Sequence, residues 1–317
     1  MKNTLLGNTG LSVSRVGMGA LPIGPNQRNL SVEQGADVIK YALQQGINFI
    51  DTAQCYKTYP YIKEALRSSN YEPVICSKCL GDSYDIMKDA VEEARSNLDR
   101  DVIDIFLLHE VRTGRFQHKL GAWEYLNEAK AKGLVKAIGI STHNIDVTNE
   151  IAKVEECDVV FPLINYAGLG VRNYNEAGTV EDMEKAIAAC YKAGKGIFSM
   201  KAFGGGNLTV SYQKALDYIF ARKDIDSVIV GFTTPKEIDD MIDYLDGRMD
   251  PSYNPDVTSK KMWVEESDCE GCGSCLKACQ SQAIFYNDKG LAQIDEEKCI
   301  TCGYCAAACP VRAMIMI

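Results

Sequence analysis

Side chains suited to moving a proton recur at the ends of successive apolar runs. Asp51 follows Ile47-Asn48-Phe49-Ile50 and leads into Thr52-Ala53-Gln54-Cys55-Tyr56. Lys78 closes Pro73-Val74-Ile75-Cys76-Ser77, and His109 closes Ile103-Asp104-Ile105-Phe106-Leu107-Leu108. Lys78 comes 27 residues after Asp51 and His109 comes 31 residues after Lys78, which is the length of one strand–helix unit. The three strand ends are therefore predicted to lie side by side on one rim of a parallel sheet. A carboxylate, a phenol, an ammonium and an imidazole gathered there would form an acid–base site.

A second group of reactive residues lies at the other end of the chain. Cys269, Cys272, Cys275 and Cys279 have the spacing C-x2-C-x2-C-x3-C, and Cys299, Cys302, Cys305 and Cys309 repeat it 30 residues later, the second run followed by Pro310. This repeat resembles the bacterial-type ferredoxin pattern, in which the fourth cysteine of each run serves the other cluster. Three thiolates from one tight loop embrace three irons of a cube, and the fourth ligand comes from elsewhere. The resemblance assigns one [4Fe–4S] cluster to Cys269, Cys272, Cys275 and Cys309 and the other to Cys299, Cys302, Cys305 and Cys279. Gln280 stands where a proline is expected, which removes a turn constraint but no ligand. Paired zinc sites are the competing reading, yet zinc takes four ligands from separated pairs. Two clusters in one small module imply electron transfer; the alternative is that they only staple a segment too small to hold a core by itself.

The elements that must position these residues alternate regularly. A hairpin precedes a first strand at 16–20, and Ser31 caps a helix carrying Val38, Ile39, Ala42 and Leu43 on one face, with Gly46 as its stop. Gly17, Gly19 and Gly24 lack the spacing of a dinucleotide loop. Ser83 starts a helix with Met87, Ala90, Val91, Ala94 and Leu98, and another through Trp123, Leu126 and Ala129 stops at Gly133. Strands at 135–140, 158–164, 196–200 and 226–230 follow, with helices near 145–154, 181–193, 211–222 and 235–246 and a polar, Gly-rich connection at 165–178. Eight strands alternating with helices predict a (β/α)8 TIM barrel over 1–250, then a linker at 251–263 marked by Pro251 and Pro255 and a small α+β ferredoxin-like iron–sulfur domain over 264–317. Chemistry in such barrels sits at the carboxyl ends of the strands.

Composition narrows the partners. The net charge of -9 argues against nucleic acid and anionic membrane, which need a basic footprint. No signal-peptide core and no membrane-length apolar run is present, so the expected location is cytoplasmic, where thirteen cysteines point to metal rather than disulfides. Cys76 and Cys79 form a C-x-x-C on a strand, where alternation puts them on opposite faces and disfavours a redox pair.

Residues 1–246 resemble the aldo-keto reductases, and the whole chain resembles the subgroup of that family with a C-terminal ferredoxin domain. The matching stretches, in order, are Leu6-Gly7-Asn8-Thr9-Gly10-Leu11-Ser12-Val13-Ser14, Asp51-Thr52-Ala53 with Tyr56, Lys78, Leu108-His109 and Gly139-Ile140-Ser141. The resemblance implies a catalytic tetrad of Asp51, Tyr56, Lys78 and His109 that reduces a small-molecule carbonyl with hydride from a nicotinamide, or runs the reverse oxidation. Reduction leaves charge on oxygen, so Tyr56 is the expected proton donor. A free phenol has a pKa near about 10, and the Lys78 ammonium is expected to lower it. Asp51 is expected to hold Lys78, and His109 to orient the carbonyl.

For the nicotinamide the resemblance is looser. Ser141 matches an amide contact, Thr142 replaces the usual Asn, Phe161 replaces a Gln, and Met200 stands where an aromatic residue stacks on the ring. Lys201, Gly204, Gly205 and Gly206 after the seventh strand, and Gly231, Thr233, Thr234 and Lys236 after the eighth, are candidates for phosphate contact. Glu237 falls where an Arg grips the 2′-phosphate of NADP, and Met241 where an Asn meets adenine, so Glu237 argues against NADPH. Three readings stay open: NADH in place of NADPH, a weakly held nicotinamide, or a barrel that uses none. The main expectation is an oxidoreductase in which two clusters connect the barrel to a one-electron partner protein. The alternative is an iron–sulfur electron carrier or redox sensor whose barrel is no longer a competent reductase.

Overall fold

Apolar strands too short to stand alone, each followed by an amphipathic helix, solve their burial problem by closing on themselves. The structure is a computed structural model that describes residues 1–317 apart from 68, 175, 258 and 259. Eight parallel strands, β1 (Val16–Gly19), β2 (Phe49–Asp51), β3 (Val74–Cys79), β4 (Ile103–Leu108), β5 (Val135–Thr142), β6 (Val159–Pro162), β7 (Gly196–Ser199) and β8 (Ser227–Gly231), form a closed barrel in sequence order, with β8 returning to β1. Outside lie α1 (Val32–Gln44), α2 (Tyr59–Leu66), α3 (Tyr84–Leu98), α4 (Leu120–Ala131), α5 (Ile145–Ile151), α6 (Val180–Lys192), α7 (Tyr212–Ala221) and α8 (Pro235–Leu245).

The predicted caps are present. The Ser31 hydroxyl accepts from Gln34 N while the Gln34 side chain accepts from Ser31 N, and Ser83 accepts from Ile86 N. Inside the barrel Phe49, Cys76, Ile105, Leu107, Phe161 and Phe198 pack with Leu6 and Val13 of an N-terminal hairpin, Asn3–Leu5 with Ser12–Ser14. That hairpin closes the amino end of the barrel, where Gly7 N donates to Asp226 Oδ2 at 3.1 Å. Access is thereby left to the carboxyl end. The polar, Gly-rich connection at 165–178 contains a short antiparallel pair, Arg172–Asn173 with Glu176–Ala177, residue 175 lying outside the described residues.

The C-terminal unit contains β9 (Met262–Val264), α9 (Ser274–Ala278), β10 (Ile284–Tyr286), β11 (Ala292–Ile294), α10 (Tyr304–Ala308) and β12 (Met314–Met316). β9 pairs with β12 and β10 with β11, both antiparallel. α9 and α10 each follow a glycine in the left-handed region, Gly273 and Gly303, so the internal repeat of the sequence is also one of structure. β9 starts at Met262, inside the stretch read as linker, of which residues 258 and 259 lie outside the described residues. Among the described residues no helix is long and apolar enough to cross a membrane.

The unit sits on the carboxyl end of the barrel. Lys201 Nζ donates to Asp268 Oδ2 at 2.8 Å, Arg112 Nη2 to the Ser267 carbonyl at 2.6 Å, and Arg172 Nη1 to Glu270 Oε1 at 2.8 Å. Met316 N donates to the Gly205 carbonyl at 2.7 Å, and Asn207 Nδ2 to that of Met314 at 3.0 Å.

Candidate active site between the barrel and the iron–sulfur domain

β2 ends at Asp51, a 3-10 turn over Gln54–Tyr56 swings the phenol back over the mouth, and β3 and β4 deliver Lys78 and His109. The structure brings all four together. Lys78 Nζ, on a side chain 1% exposed, donates to Asp51 Oδ1 at 2.7 Å and to the Thr52 carbonyl at 2.6 Å. It also lies 4.9 Å from the centre of the Tyr56 ring and 5.4 Å from that of Phe161, which stacks on Phe198. Tyr56 Oη and His109 Nε2 are 3.4 Å apart, and the other ring nitrogen of His109 is 3.7 Å from Cys55 Sγ.

The electrostatics differ from the expectation in one respect. Burial raises the Tyr56 phenol well above its ordinary value, and the nearby Asp51 carboxylate raises it further. The expected lowering by Lys78 is overridden, because desolvation is the largest effect and the nearby carboxylates add to it. Burial also keeps His109 neutral, helped by Lys78, and holds Asp51 above the usual carboxylate range despite Lys78. The site is a neutral phenol beside a neutral imidazole, with a buried ion pair beneath. Glu110 and Lys201, which follow β4 and β7, have positive φ of 51° and 58°, strain of the kind concentrated at functional sites.

Above these groups is a cavity of about 710 Å³ whose floor includes Tyr56, Lys78, His109 and Phe161 and whose roof is 262–268 with Ala292–Ile294 and Glu296 of the C-terminal unit. Ser141, Thr142, Met200 and Lys201 also line it. The Ser141 hydroxyl accepts from Glu110 N at 2.9 Å, and the Thr142 hydroxyl donates to the Val111 carbonyl at 2.7 Å.

The other residues expected near phosphate lie away from the tetrad, against protein. Gly205 and Gly206 pack on Ile315 and Met316, Gly204 on Leu169 and Leu208, and Gly231 on Pro22. Thr233 N and Oγ1 donate to Glu237 Oε2 at 2.7 and 3.0 Å, Thr234 caps α8 through Glu237 N, and Lys236 pairs with Asp240 at 2.9 Å.

Sequence reasoning missed the roof. His143, whose Nδ1 is 4.0 Å from Asp268 Oδ1, and Glu265, Asp268 and Trp263 all line the cavity. The acidic run Glu265-Glu266-Ser267-Asp268 was the available signal, but nothing local in it says which surface it meets.

Among the cysteines, Cys279, Cys299, Cys302 and Cys305 line one small pocket with Met262, Ile284, Ile294 and Ile300. Cys275 and Cys309 are buried, and the thiols of Cys309 and Cys269 are near enough to act on Cys275, which burial pushes up to about 11. Cys272 is exposed at the loop, its sulfur 3.6 Å from Ser274 Oγ. Among the described residues no three His, Cys, Asp or Glu side chains are arranged for a single metal ion. The grouping of thiols is the one a pair of cubic clusters with exchanged fourth ligands would use, and the cysteines fit that cofactor by number, type and grouping.

Comparison with known proteins agrees with both halves. Residues 15–217 match the Aldo/keto reductase family and residues 262–317 match the 4Fe-4S dicluster domain. L-galactose dehydrogenase of Arabidopsis thaliana is 24% identical over 280 residues, covering 75% of this chain and 86% of its own. The methylglyoxal reductase DkgA of Escherichia coli (strain K12) is 28% identical over 233 residues, covering 69% and 82%. Among solved structures, a putative aldo-keto reductase from Pseudomonas aeruginosa superposes with a TM-score of 0.62 at 24% identity over 74% of this chain and 90% of that one. An aldo-keto reductase of Bombyx mori in complex with NADP gives 0.60 at 18% identity over 78% and 88%. With the barrel, its rim residues and the family match in agreement, the chain belongs to the aldo/keto reductase family and carries a 4Fe-4S dicluster domain behind the barrel.

Proposed function

We propose that this chain is an iron–sulfur oxidoreductase that interconverts a small carbonyl compound and its alcohol in the cavity between barrel and C-terminal domain. The observation that carries the reading is convergence: Tyr56, Lys78 and His109, from three neighbouring strand ends, form the floor of a cavity roofed by the iron–sulfur domain itself.

Reduction adds two electrons and two protons across the C=O bond, giving CH–OH. Tyr56 supplies the proton on oxygen, and water in the cavity supplies the one on carbon. His109, neutral and 3.4 Å from Tyr56 Oη, positions the carbonyl oxygen beside the phenol by hydrogen bond. Once the phenol gives up its proton, the Lys78 ammonium 4.9 Å from the ring stabilises the phenolate, and Asp51 holds Lys78 there. When bound by Cys269, Cys272, Cys275 and Cys309 and by Cys299, Cys302, Cys305 and Cys279, the [4Fe–4S] clusters supply one-electron transfer, loaded from a low-potential electron-carrier protein. A 1,2-dicarbonyl such as methylglyoxal, the substrate named for the Escherichia coli relative, is the class of small carbonyl the reading assigns to the cavity.

The test is anaerobic. Cluster-loaded chain is reduced with dithionite, freed of excess reductant and mixed with methylglyoxal and with simple aldoses, and the visible cluster spectrum is followed with product analysis. Reoxidation coupled to hydroxycarbonyl formation, lost by at least about 100-fold in Tyr56→Phe, is the expected result. Equal reoxidation by both forms without product would make the barrel a docking body for an electron carrier, the second reading; the strongly raised Tyr56 favours that reading.

A further inference from the structure

In (β/α)8 barrels the loops after the seventh and eighth strands, with the helix N-terminus there, are the usual seat of a phosphate-bearing ligand. We propose that in this chain the seat is filled by the chain's own C-terminal segment and carboxylates, so that no nicotinamide dinucleotide binds and reducing equivalents enter only through the iron–sulfur domain.

The groups after β7 and β8 that would meet the phosphates of a dinucleotide already have protein partners. The run Gly204-Gly205-Gly206, all with positive φ, offers bare backbone to a close neighbour, and for Gly205 and Gly206 that neighbour is β12. A Cβ on Gly205 would lie 2.6 Å from Ile315 Cγ2, and one on Gly206 would lie 2.1 Å from the Met316 carbonyl oxygen. Met316 N donates to the Gly205 carbonyl at 2.7 Å, and Asn207 Nδ2 to the Met314 carbonyl at 3.0 Å, which ties the strand down from both sides.

The N-terminus of α8, where backbone N–H groups and the helix dipole favour an anion, holds the carboxylate of Glu237. Glu237 Oε2 accepts from Thr233 N and Oγ1, and Lys260 Nζ from the linker lies 3.5 Å from Oε1. Anion and counter-cation are both protein groups. The two lysines best placed for phosphate are also paired, Lys201 with Asp268 and Lys236 with Asp240. An incoming pyrophosphate would have to displace β12 and then lie beside Glu237 and Asp268, against like charge. The residues present do not fit the cofactor that the barrel's relatives suggest.

The inference stands apart from the identity of the substrate, since it concerns the loops after β7 and β8 and not the groups that meet the carbonyl. The test titrates anaerobic, cluster-loaded full-length chain with NADH and with NADPH, by nicotinamide fluorescence and calorimetry. No saturable binding is expected up to about 1 mM, and a Kd at or below about 0.1 mM for either dinucleotide overturns the proposal. A second arm uses Gly206→Ala, whose methyl group would enter the Met316 carbonyl. Amide exchange at Met316 should accelerate at least tenfold while the barrel strands stay protected, and unchanged exchange would show that β12 is not seated in the loop. Dinucleotide binding together with Tyr56-dependent reduction would overturn this inference and leave the carbonyl reading intact. Absence of both would overturn the carbonyl reading alone. The titration of the unaltered chain decides the matter even if the variant fails to fold.

Discussion

Replacing Lys201 by Met is the sharpest probe of how the two domains are joined. Asp268, 6% exposed at the side chain, receives from Lys201 Nζ at 2.8 Å; His143 Nδ1 is 4.0 Å away, and Arg112, which donates to the neighbouring Ser267 carbonyl, acts on it only through its field. His143 is held down to about 3, by burial first and then by Lys201 itself, so at neutral pH it brings no charge. Met at 201 would leave a buried carboxylate without its hydrogen-bonded cation, a loss of about 3–5 kcal/mol for a fully buried pair with no other charge nearby, of which the field of Arg112 recovers part. Because the Lys201 side chain is 24% exposed, water recovers part of this, and about 2–4 kcal/mol is the reasoned cost. That corresponds to roughly 30- to 1000-fold in the docking equilibrium, read as faster amide exchange at Met316 and at the backbone near Asp268.

The pH dependence gives an independent check. Removing Lys201 takes away a charge that depresses His143, so the folded-state pKa of His143 rises in the variant toward its ordinary value near about 6.5. Burial, the larger cause, still holds His143 below its unfolded value in the variant, but by less than in the parent, so acidification costs the variant less stability than the parent and the deficit at pH 7 should shrink toward about pH 5. Lys201→Arg should behave as the parent. Unchanged exchange in Lys201→Met, or a deficit that grows on acidification, would refute the reasoning.

Two further outcomes follow from the site. With Tyr56 raised well above its ordinary value and His109 lowered well below its own, neither titrates near neutrality, so neither should put a break in kcat/KM for carbonyl reduction between about pH 6 and 9, and any break near about 7 should come from Glu110, which burial raises to about 7, and vanish in Glu110→Gln. A break near about 6.5 that disappears in His109→Gln would contradict this. Cys279→Ala should lose one cluster, giving about half the iron by colorimetric assay and one type of paramagnetic signal; full iron content would show that Cys279 is not a required ligand of either cluster.

Much of this was legible because it is written locally. The Ser31 and Ser83 caps, the periodic helix faces and the apolar strands each occupy one short stretch, and barrel closure follows from their alternation. Asp51, Lys78 and His109 could be placed on one rim because a strand end is itself a local signal. The docking of the two domains was not legible: Lys201 and Asp268 are 67 residues apart in the chain, and no pattern near either names the other. The glycines at 204–206 signalled close approach correctly but not by what. The direction of the Tyr56 shift was misread for a related reason, since a neighbouring lysine is visible in sequence while desolvation is a property of the assembled cavity.

The shared roof also makes the reaction chamber depend on intact metal. The hydrophobic core of the C-terminal domain incorporates Cys275, Cys305 and Cys309 together with Met262, Val264, Ile284 and Ala292, and a unit this small gains much of its folding free energy from what its cysteines bind. Stripping the iron, as oxygen does to exposed clusters, would loosen the strands that cover Tyr56 and leave it facing solvent. Under the proposed function, oxidative damage would then abolish electron supply and substrate enclosure in a single event, so an injured molecule would fall silent instead of running an uncoupled side reaction.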